Sequence, residues 1–504
     1  MNILNKDFNT HSDFSEKIAI LGSGFAAYSF IKNYKNIDDL IVFEGGSFKS
    51  NTEKFHFISL NSLKLKSNTV DFSIGGTSNL WTGNLVEPED YEKDINAFPN
   101  KDLWFFGNRQ TEYFQKAWKI FHVNPKKYHR NKTQIKNNFI ERKIHTQFRP
   151  TRLRKEFRKL PLLLCDQMEV IALGEHNEKA FVEFKCLRTK QNKKVSFKAI
   201  ILCAGGLGCI NILQKSLKSD YLDSKKLPKY LGRFYMNHPK FTIDNFLDYS
   251  PNKKSIFLKN KYFFSDSLIT YSLDPSTQSK LGCNNTSFTF IPNFLKDESE
   301  EFKFLYMIFT NKLYFLKNIS HILRFIFFRK KPTRNNLNNY FAPTKFLNIF
   351  KLLSHLGFFL GISRKNPKSY NLQFFMEMEP NHFNTINFQD SKCEANISMG
   401  ETESKTFKEL MRLLNSQLRK ENYNFKDISD NLHDYTLLDA SHHMGGISYN
   451  VDKAYSLVDE NMRLDSTKNI FICSSAVFPS SGSFNPTLTI AAISAKVASF
   501  LEKY

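Results

Sequence analysis

Three things are scarce in this chain of 504 residues: uncharged apolar runs, paired cysteines and acidic side chains. Its two most apolar blocks lie between Phe302 and Lys365, and both are cut by basic residues before reaching the roughly eighteen residues of a membrane helix, which excludes a span there. The seven cysteines stand at irregular spacing with no C-x-x-C pair and no zinc pattern, so no metal is expected. Cys203, Cys209 and Cys473 fall in apolar segments and read as reduced core residues. Asp and Glu number 49 against 71 Lys and Arg, a formal charge of +22. There is no internal repeat and no long Gly/Ser or Pro-rich linker, while the length allows more than one domain. The opening Met1-Asn-Ile-Leu-Asn-Lys-Asp-Phe8 lacks the apolar stretch and cleavage site of a signal peptide. A cytoplasmic location is expected, with attachment to the inner face of a membrane as the alternative.

What is present begins at Ile18-Ala-Ile-Leu21, a short apolar run with the character of a buried parallel strand. It breaks into Gly22-Ser-Gly24-Phe-Ala-Ala27, and Ala26–Asn33 has the apolar spacing of a helix. Gly22 permits a tight turn, Gly24 allows backbone to approach a pyrophosphate, and Ala27 lets helix and strand pack closely. The N–H groups and dipole at that helix start favour anionic phosphates. A second apolar run, Leu40-Ile-Val-Phe43, ends in Glu44, roughly 20 residues after the first glycine, where an acid meets the hydroxyls of an adenosine ribose. An acid there favours FAD or NAD over NADP, whose 2′-phosphate it would repel.

From this point the sequence resembles the glucose–methanol–choline (GMC) family of flavin oxidoreductases. Gly75-Gly76-Thr77-Ser78-Asn79-Leu80-Trp81-Thr82-Gly83 is similar to its second glycine-rich segment. Ala199–Gly208, containing Ala204 and Gly205 and followed by an apolar helix ending near Leu213, resembles its returning strand and turn. Leu231–Pro239 resembles the segment closing the FAD domain, and Met378-Glu379-Pro380-Asn381 the start of the last part of the substrate domain. Asn469–Ile472, Val477-Phe478-Pro479 and Asn485-Pro486-Thr487-Leu488-Thr489 resemble the C-terminal signature. The six fragments fall in the family's order. Between Phe241 and Tyr370 there is no such likeness, and substrate choice is expected there.

The resemblance implies an α/β fold: a doubly wound parallel-sheet FAD-binding domain with an inserted α+β substrate domain on a mainly antiparallel sheet. The expected parts are FAD-binding segments at 14–105, 161–240 and 436–504, a cap segment at 106–160 and a substrate domain at 241–435. Lys179–Ser196 reads as a hairpin whose Lys185, Arg188 and Lys190 form a solvated face. The cofactor implied is FAD, held by Gly22, Gly24, Ala27, Glu44, Gly75, Gly76, Thr77, Ser78, Asn79, Trp81, Val170, Ala204, Gly205, Ser474, Ser475, Pro486 and Thr487. Two departures stand out. Ser474 occupies a position that is usually acidic, near the flavin's ribityl chain. Leu80 stands where relatives with covalent flavin carry histidine, so non-covalent FAD is expected.

In Ser441-His442-His443-Met444-Gly445-Gly446, the resemblance makes His442 the active-site histidine of an H-x-x-G motif and Asn485 its partner. Histidine suits removal of a hydroxyl proton, because its pKa lies near working pH. An asparagine amide can hold the substrate oxygen without titrating. Pro486 favours a first helical turn, and Thr487–Leu501 has helical spacing, so that helix's positive end is expected to face the site. His443 reads as structural, and His238 as packing or hydrogen-bonding at the domain boundary.

The function implied is oxidation of a CH–OH group, on an alcohol and by family likeness a sugar or sugar derivative. The partners are that small molecule and an electron acceptor (oxygen, dye, quinone or protein). Between Phe302 and Lys365 aromatic and aliphatic blocks alternate with Lys303, Lys312, Lys317, Arg324, Arg329, Lys330, Lys331, Lys345, Lys351 and Arg364, among other basic residues. Helices packed on the substrate domain with lysines reaching outward give that pattern, and so does a segment lying on an anionic membrane. The second reading makes the substrate a sterol, a fatty alcohol or a lipid-linked sugar. The same charges also suit a phosphorylated substrate. Nucleic acid does not fit, since the aromatics come in apolar blocks. A non-redox or idle FAD-binding protein is the remaining alternative, with Ser474 in its favour.

Overall fold

The computed structural model describes residues 2–3, 14–49, 51, 55–61, 63–66, 69–88, 110–124, 133–135, 138–147, 150–250, 255–258, 267–293, 367–389, 392–449 and 452–503. The packing and membrane readings of Phe302–Lys365 fall outside the described residues.

The apolar runs read as strands, Ile18–Leu21, Leu40–Phe43 and the run from Ala199, are strands, and Ile470–Ile472 is a further one. Ile18–Leu21, Leu40–Glu44, Ala199–Leu202 and Ile470–Ile472 are each buried along their whole length. Strands covered on both faces need no polar alternation, which is why these runs are continuously apolar. Together with Asn2–Ile3 and Leu163–Asp166 they form a six-stranded parallel sheet. Its order is Asn2–Ile3, Leu163–Asp166, Leu40–Glu44, Ile18–Leu21, Ala199–Leu202 and Ile470–Ile472. The sheet is completed only when Ile470–Ile472 returns to pair with Ile200–Leu202.

Three helices leave this sheet in ways that matter for the site. Phe25–Asn33 follows the first strand and packs on Thr487–Leu501, where Ser29 Oγ donates to the Ala491 carbonyl at 2.6 Å. Ala491, Ala492, Ala495 and Ala498 are buried in Thr487–Leu501, and their small side chains allow that approach. The third helix, expected to end near Leu213, runs from Gly205 to Lys218. It continues because Ser216 extends the buried face: its Oγ donates to the Ile212 carbonyl and accepts from the Leu173 N–H at 2.9 Å.

A second sheet of seven antiparallel strands includes Lys240–Asp248, Ser369–Phe375, Ser287–Asn293, Ser267–Leu273, Phe139–Thr146 and Asn84–Leu85 in that order, with Thr133–Ile135 paired to Phe139–Thr146. The helix Glu401–Lys420 covers it, burying Phe407, Leu410, Met411, Leu414 and Leu418 at the spacing of one helical face. The Phe407 ring lies 5.4 Å from those of Phe241 and Phe374. The α/β class with its antiparallel second sheet is thus the one the sequence implied. Among the described residues no helix is long and apolar enough to cross a membrane.

The expected hairpin is present as Lys179–Cys186 and Asn192–Phe197, extended by Met168–His176 into a three-stranded sheet. Phe43 joins it to the parallel sheet, stacking on Phe184 at 4.4 Å and meeting Phe197 edge-on at 5.6 Å. Phe43→Ala empties that junction beside Glu44. The expected loss is about 3–5 kcal/mol of stability, read as a shift in the urea midpoint.

Candidate active site

The glycine turn after the first strand is held from three sides. Gly22 has φ 106°, and a Cβ there would lie 2.6 Å from the Cys203 carbonyl oxygen, so only glycine lets the two parallel strands end together. Glu44 Oε2 accepts from the Ser23 N–H at 3.1 Å and from Ser23 Oγ at 2.6 Å, and its Oε1 accepts from the Gly46 N–H. Ser23 Oγ in turn accepts from the Gly75 N–H at 2.9 Å, which locks the second glycine-rich segment onto the first. That segment turns as a short 3-10 helix, Gly76–Asn79. Asn79 Nδ2 braces it on Asp71, Ser73 and the Ile74 carbonyl, and Arg152 donates to the carbonyls of Ser78 and Trp81.

These segments meet around one cavity of about 610 Å3. Of the residues expected to hold a cofactor, all but Ala27, Gly75 and Asn79 line it. Ala27 is fully buried against the sheet, while Gly75 and Asn79 shape the turn behind the wall. At Gly24 and Gly205 an added Cβ would meet no atom within 4 Å, so bare backbone faces open space. The helices Phe25–Asn33, Gly205–Lys218 and Thr487–Leu501 all begin at this cavity. Helix starts present N–H donors and partial positive charge, so the cavity suits a long, multiply anionic group. The residues present fit a dinucleotide cofactor. Ser474, buried, lines the wall and caps its own turn by accepting from the Ala476 N–H.

His442 and Asn485 meet in the same cavity, with Asn485 Nδ2 3.3 Å from His442 Nε2. Behind His442 stands His238, whose Nδ1 lies 2.8 Å from His442 Nδ1. The tautomers follow from the far side of His238. Its Nε2 faces the carbonyls of Ser481 at 3.2 Å and Gly482 at 2.8 Å, which only accept, so Nε2 carries the proton. His238 Nδ1 is then an acceptor, His442 donates from Nδ1, and the lone pair of His442 sits on Nε2, facing Asn485. That is the arrangement of a proton acceptor.

Burial pushes the His442 pKa well below the ordinary histidine value, and the charges of His238, Lys240 and His443 act in the same direction. His442 is therefore neutral at pH 7 and able to accept. His443 is held elsewhere: Tyr235 donates to its Nδ1 at 2.6 Å, and its Nε2 lies 3.4 Å from Thr69 Oγ1. Asn237 fixes the direction by donating to Tyr235 Oη and to Asp439 Oδ1. Sequence reasoning left His238 as a boundary residue and did not single out Lys66 or Lys240, which also line the cavity. The signal available was Asn237-His238-Pro239-Lys240, but its partner lies 204 residues away.

A parallel-sheet nucleotide-binding fold carrying a histidine–asparagine pair is the class that fold and site define. Residues 380–494 match the GMC oxidoreductase family. Two solved structures share the fold across nearly the whole chain. One is a fungal aryl-alcohol oxidase, with TM-score 0.56 and 11% identity, covering 98% of this chain and 99% of that one. The other is pyridoxine 4-oxidase from Mesorbium loti, with TM-score 0.54 and 12% identity, covering 97% and 99%. No curated protein matches the chain. The family match thus rests on residues 380–494, and GMC oxidoreductases generally bind FAD.

The tautomer chain gives a pH prediction. A base works when neutral, so the acidic limb of the kcat/KM profile lies well below pH 6.5 in the native protein. Lys240→Met removes a charge that helps to hold the pKa down, and that limb moves to higher pH. His238→Ala leaves His442 Nδ1–H without its acceptor, at a cost of about 1–3 kcal/mol, or roughly ten- to a hundredfold in rate. His238→Gln, which restores an acceptor, recovers part of the loss.

Proposed function

We propose that this protein is an FAD-dependent oxidoreductase that oxidises a CH–OH group, on a small alcohol such as a sugar or sugar derivative. The observation that carries the reading is that three helix N-termini and the His442–Asn485 pair open into one cavity. Gly22, Gly24, Gly76 and Gly205 would bring backbone close enough to hold the dinucleotide, and Glu44, at the end of the strand Leu40–Glu44, would hold its adenosine ribose. FAD, when bound, supplies the acceptor for the hydride leaving the carbinol carbon.

The chain's own residues do the rest. A hydroxyl lying between Asn485 and His442 accepts a hydrogen bond from Asn485 Nδ2–H and gives its proton to His442 Nε2. His442 is ready for that proton because His238 holds the other ring nitrogen as the donor. Asn485 keeps the oxygen in place, and lying just before Pro486–Thr487 it is fixed by the start of a buried helix. The positive end of that helix favours negative charge developing at this edge of the cavity. Leu80, an apolar side chain on the cavity wall, offers no atom for a covalent link, so we assign non-covalent FAD.

Two measurements test this. Acid precipitation of the flavin-loaded protein should release the flavin to the supernatant; flavin retained in the pellet contradicts non-covalent binding. His442→Ala should keep its flavin, yet flavin reduction by substrate should slow by about 10²–10⁴-fold, the usual contribution of a general base. A near wild-type rate would remove His442 from the reaction.

A further inference from the structure

The charge around His442 is unbalanced. Lys240 opens the strand Lys240–Asp248 directly after Asn237-His238-Pro239, so the turn that brings His238 to His442 also brings Lys240 to the cavity. Its side chain is only partly exposed, and its Nζ lies 6.0 Å from the centre of the Phe375 ring. Among the described residues Lys240 makes no ion pair within 4.0 Å. Lys66 lines the same cavity, and it too has no ion pair among the described residues.

Asp439 is the nearby carboxylate, and it is engaged elsewhere. It accepts from Asn237 Nδ2 at 2.9 Å, from the Ser441 N–H at 2.6 Å and from the Lys66 backbone N–H at 3.2 Å. Those bonds brace the segment leading to His442, while Lys240, partly buried, and Lys66, exposed, both line the cavity without an ion pair among the described residues. Burial lowers the Lys240 pKa, Lys66 pushes it the same way, and Asp439 only opposes them. A half-buried cation is costly unless something pairs with it. At the wall of a binding cavity, a ligand can supply the missing charge.

We propose that the alcohol oxidised here carries an anionic group, a phosphate ester or a carboxylate, which Lys240 and Lys66 bind while His442 and Asn485 hold its hydroxyl. This rests on the reading of the site as an alcohol-oxidising one. Lysine suits the role, because a compact ammonium on a flexible stem binds either anion as a point charge, without demanding one geometry. Neutral alcohols lack the group that would complete this wall, and they should bind more weakly.

The test separates binding from oxidation. Flavin-loaded protein is titrated with inorganic phosphate and, separately, with acetate at constant ionic strength, and binding is followed by calorimetry and by the flavin spectrum. The expected result is saturable binding of at least one anion, with phosphate marking an ester and acetate a carboxylate. Lys240→Met should weaken it by about tenfold or more, as expected for loss of a charge-assisted contact. Lys240→Arg, which keeps the charge, should retain it, and equal flavin content in both variants shows that the fold is intact. No saturable binding of either anion, or equal affinity in Lys240→Met, overturns the proposal. So does a Lys240→Met protein with unchanged anion affinity and a lowered flavin potential, which would assign the charge to the cofactor. Anaerobic flavin bleaching by glycerol against glycerol 3-phosphate and glycerate then addresses the chemistry. Bleaching by glycerol as readily as by its anionic analogues overturns the proposal and upholds alcohol oxidation. Lysine-dependent anion binding with no bleaching by any alcohol places the failure in the oxidation reading instead.

Discussion

In a parallel sheet every strand ends on the same edge, and the site depends on that constraint. The chain leaves Leu21 and Leu202 on one side of the sheet, so the helices that follow both start there. Ile470–Ile472 ends on the same edge, and the turns after it lead to Asn485 and the helix Thr487–Leu501. Donors and dipoles from segments hundreds of residues apart therefore converge without any of them being long-range in design. The close approach of Gly22 to the Cys203 carbonyl is what lets two of these edges lie side by side.

Electrostatics divides the cavity into two regions with different work. At the glycine turns the positive potential comes from backbone, which does not titrate and is rigidly held by Glu44, Ser23 and Gly75. Around His442 it comes from side chains, and there it has a second effect. Burial does most to hold His442 neutral, and the charge of Lys240, which makes the region attractive to an anion, acts in the same direction. An anionic ligand bound beside Lys240 would offset that influence and raise the basicity of His442 on arrival, so binding and proton affinity are linked by sign.

The parts legible in the sequence were those whose logic is local. Ile18–Leu21, Leu40–Phe43 and Ala199–Leu202 are apolar throughout because both faces are covered, and each leads into a turn whose glycine or acid has a fixed offset. Thr487–Leu501 announced itself by spacing and by Pro486. The antiparallel sheet was legible only as a family expectation: strands such as Phe139–Thr146 carry Glu141, Arg142 and His145 in buried positions, which breaks the alternation a reader would look for. Gly205–Lys218 outran its apolar pattern, because Ser216 is buried for its hydrogen bond to Leu173, a reason visible only once the neighbouring strand is in place. His238 and Lys240 were obscured for the same cause. Each has an ordinary local environment, and its meaning comes from His442.

The hydrogen-bonded row from His442 through His238 ends on the main-chain carbonyls of Ser481 and Gly482. Carbonyls anchor a row of imidazoles but cannot carry a proton onward. On the proposed reading, a proton taken up at His442 Nε2 would find no onward carrier along this row, and would leave on the cavity side. Discharge of such a base would then use the cavity itself, so proton loss and product departure would share one door.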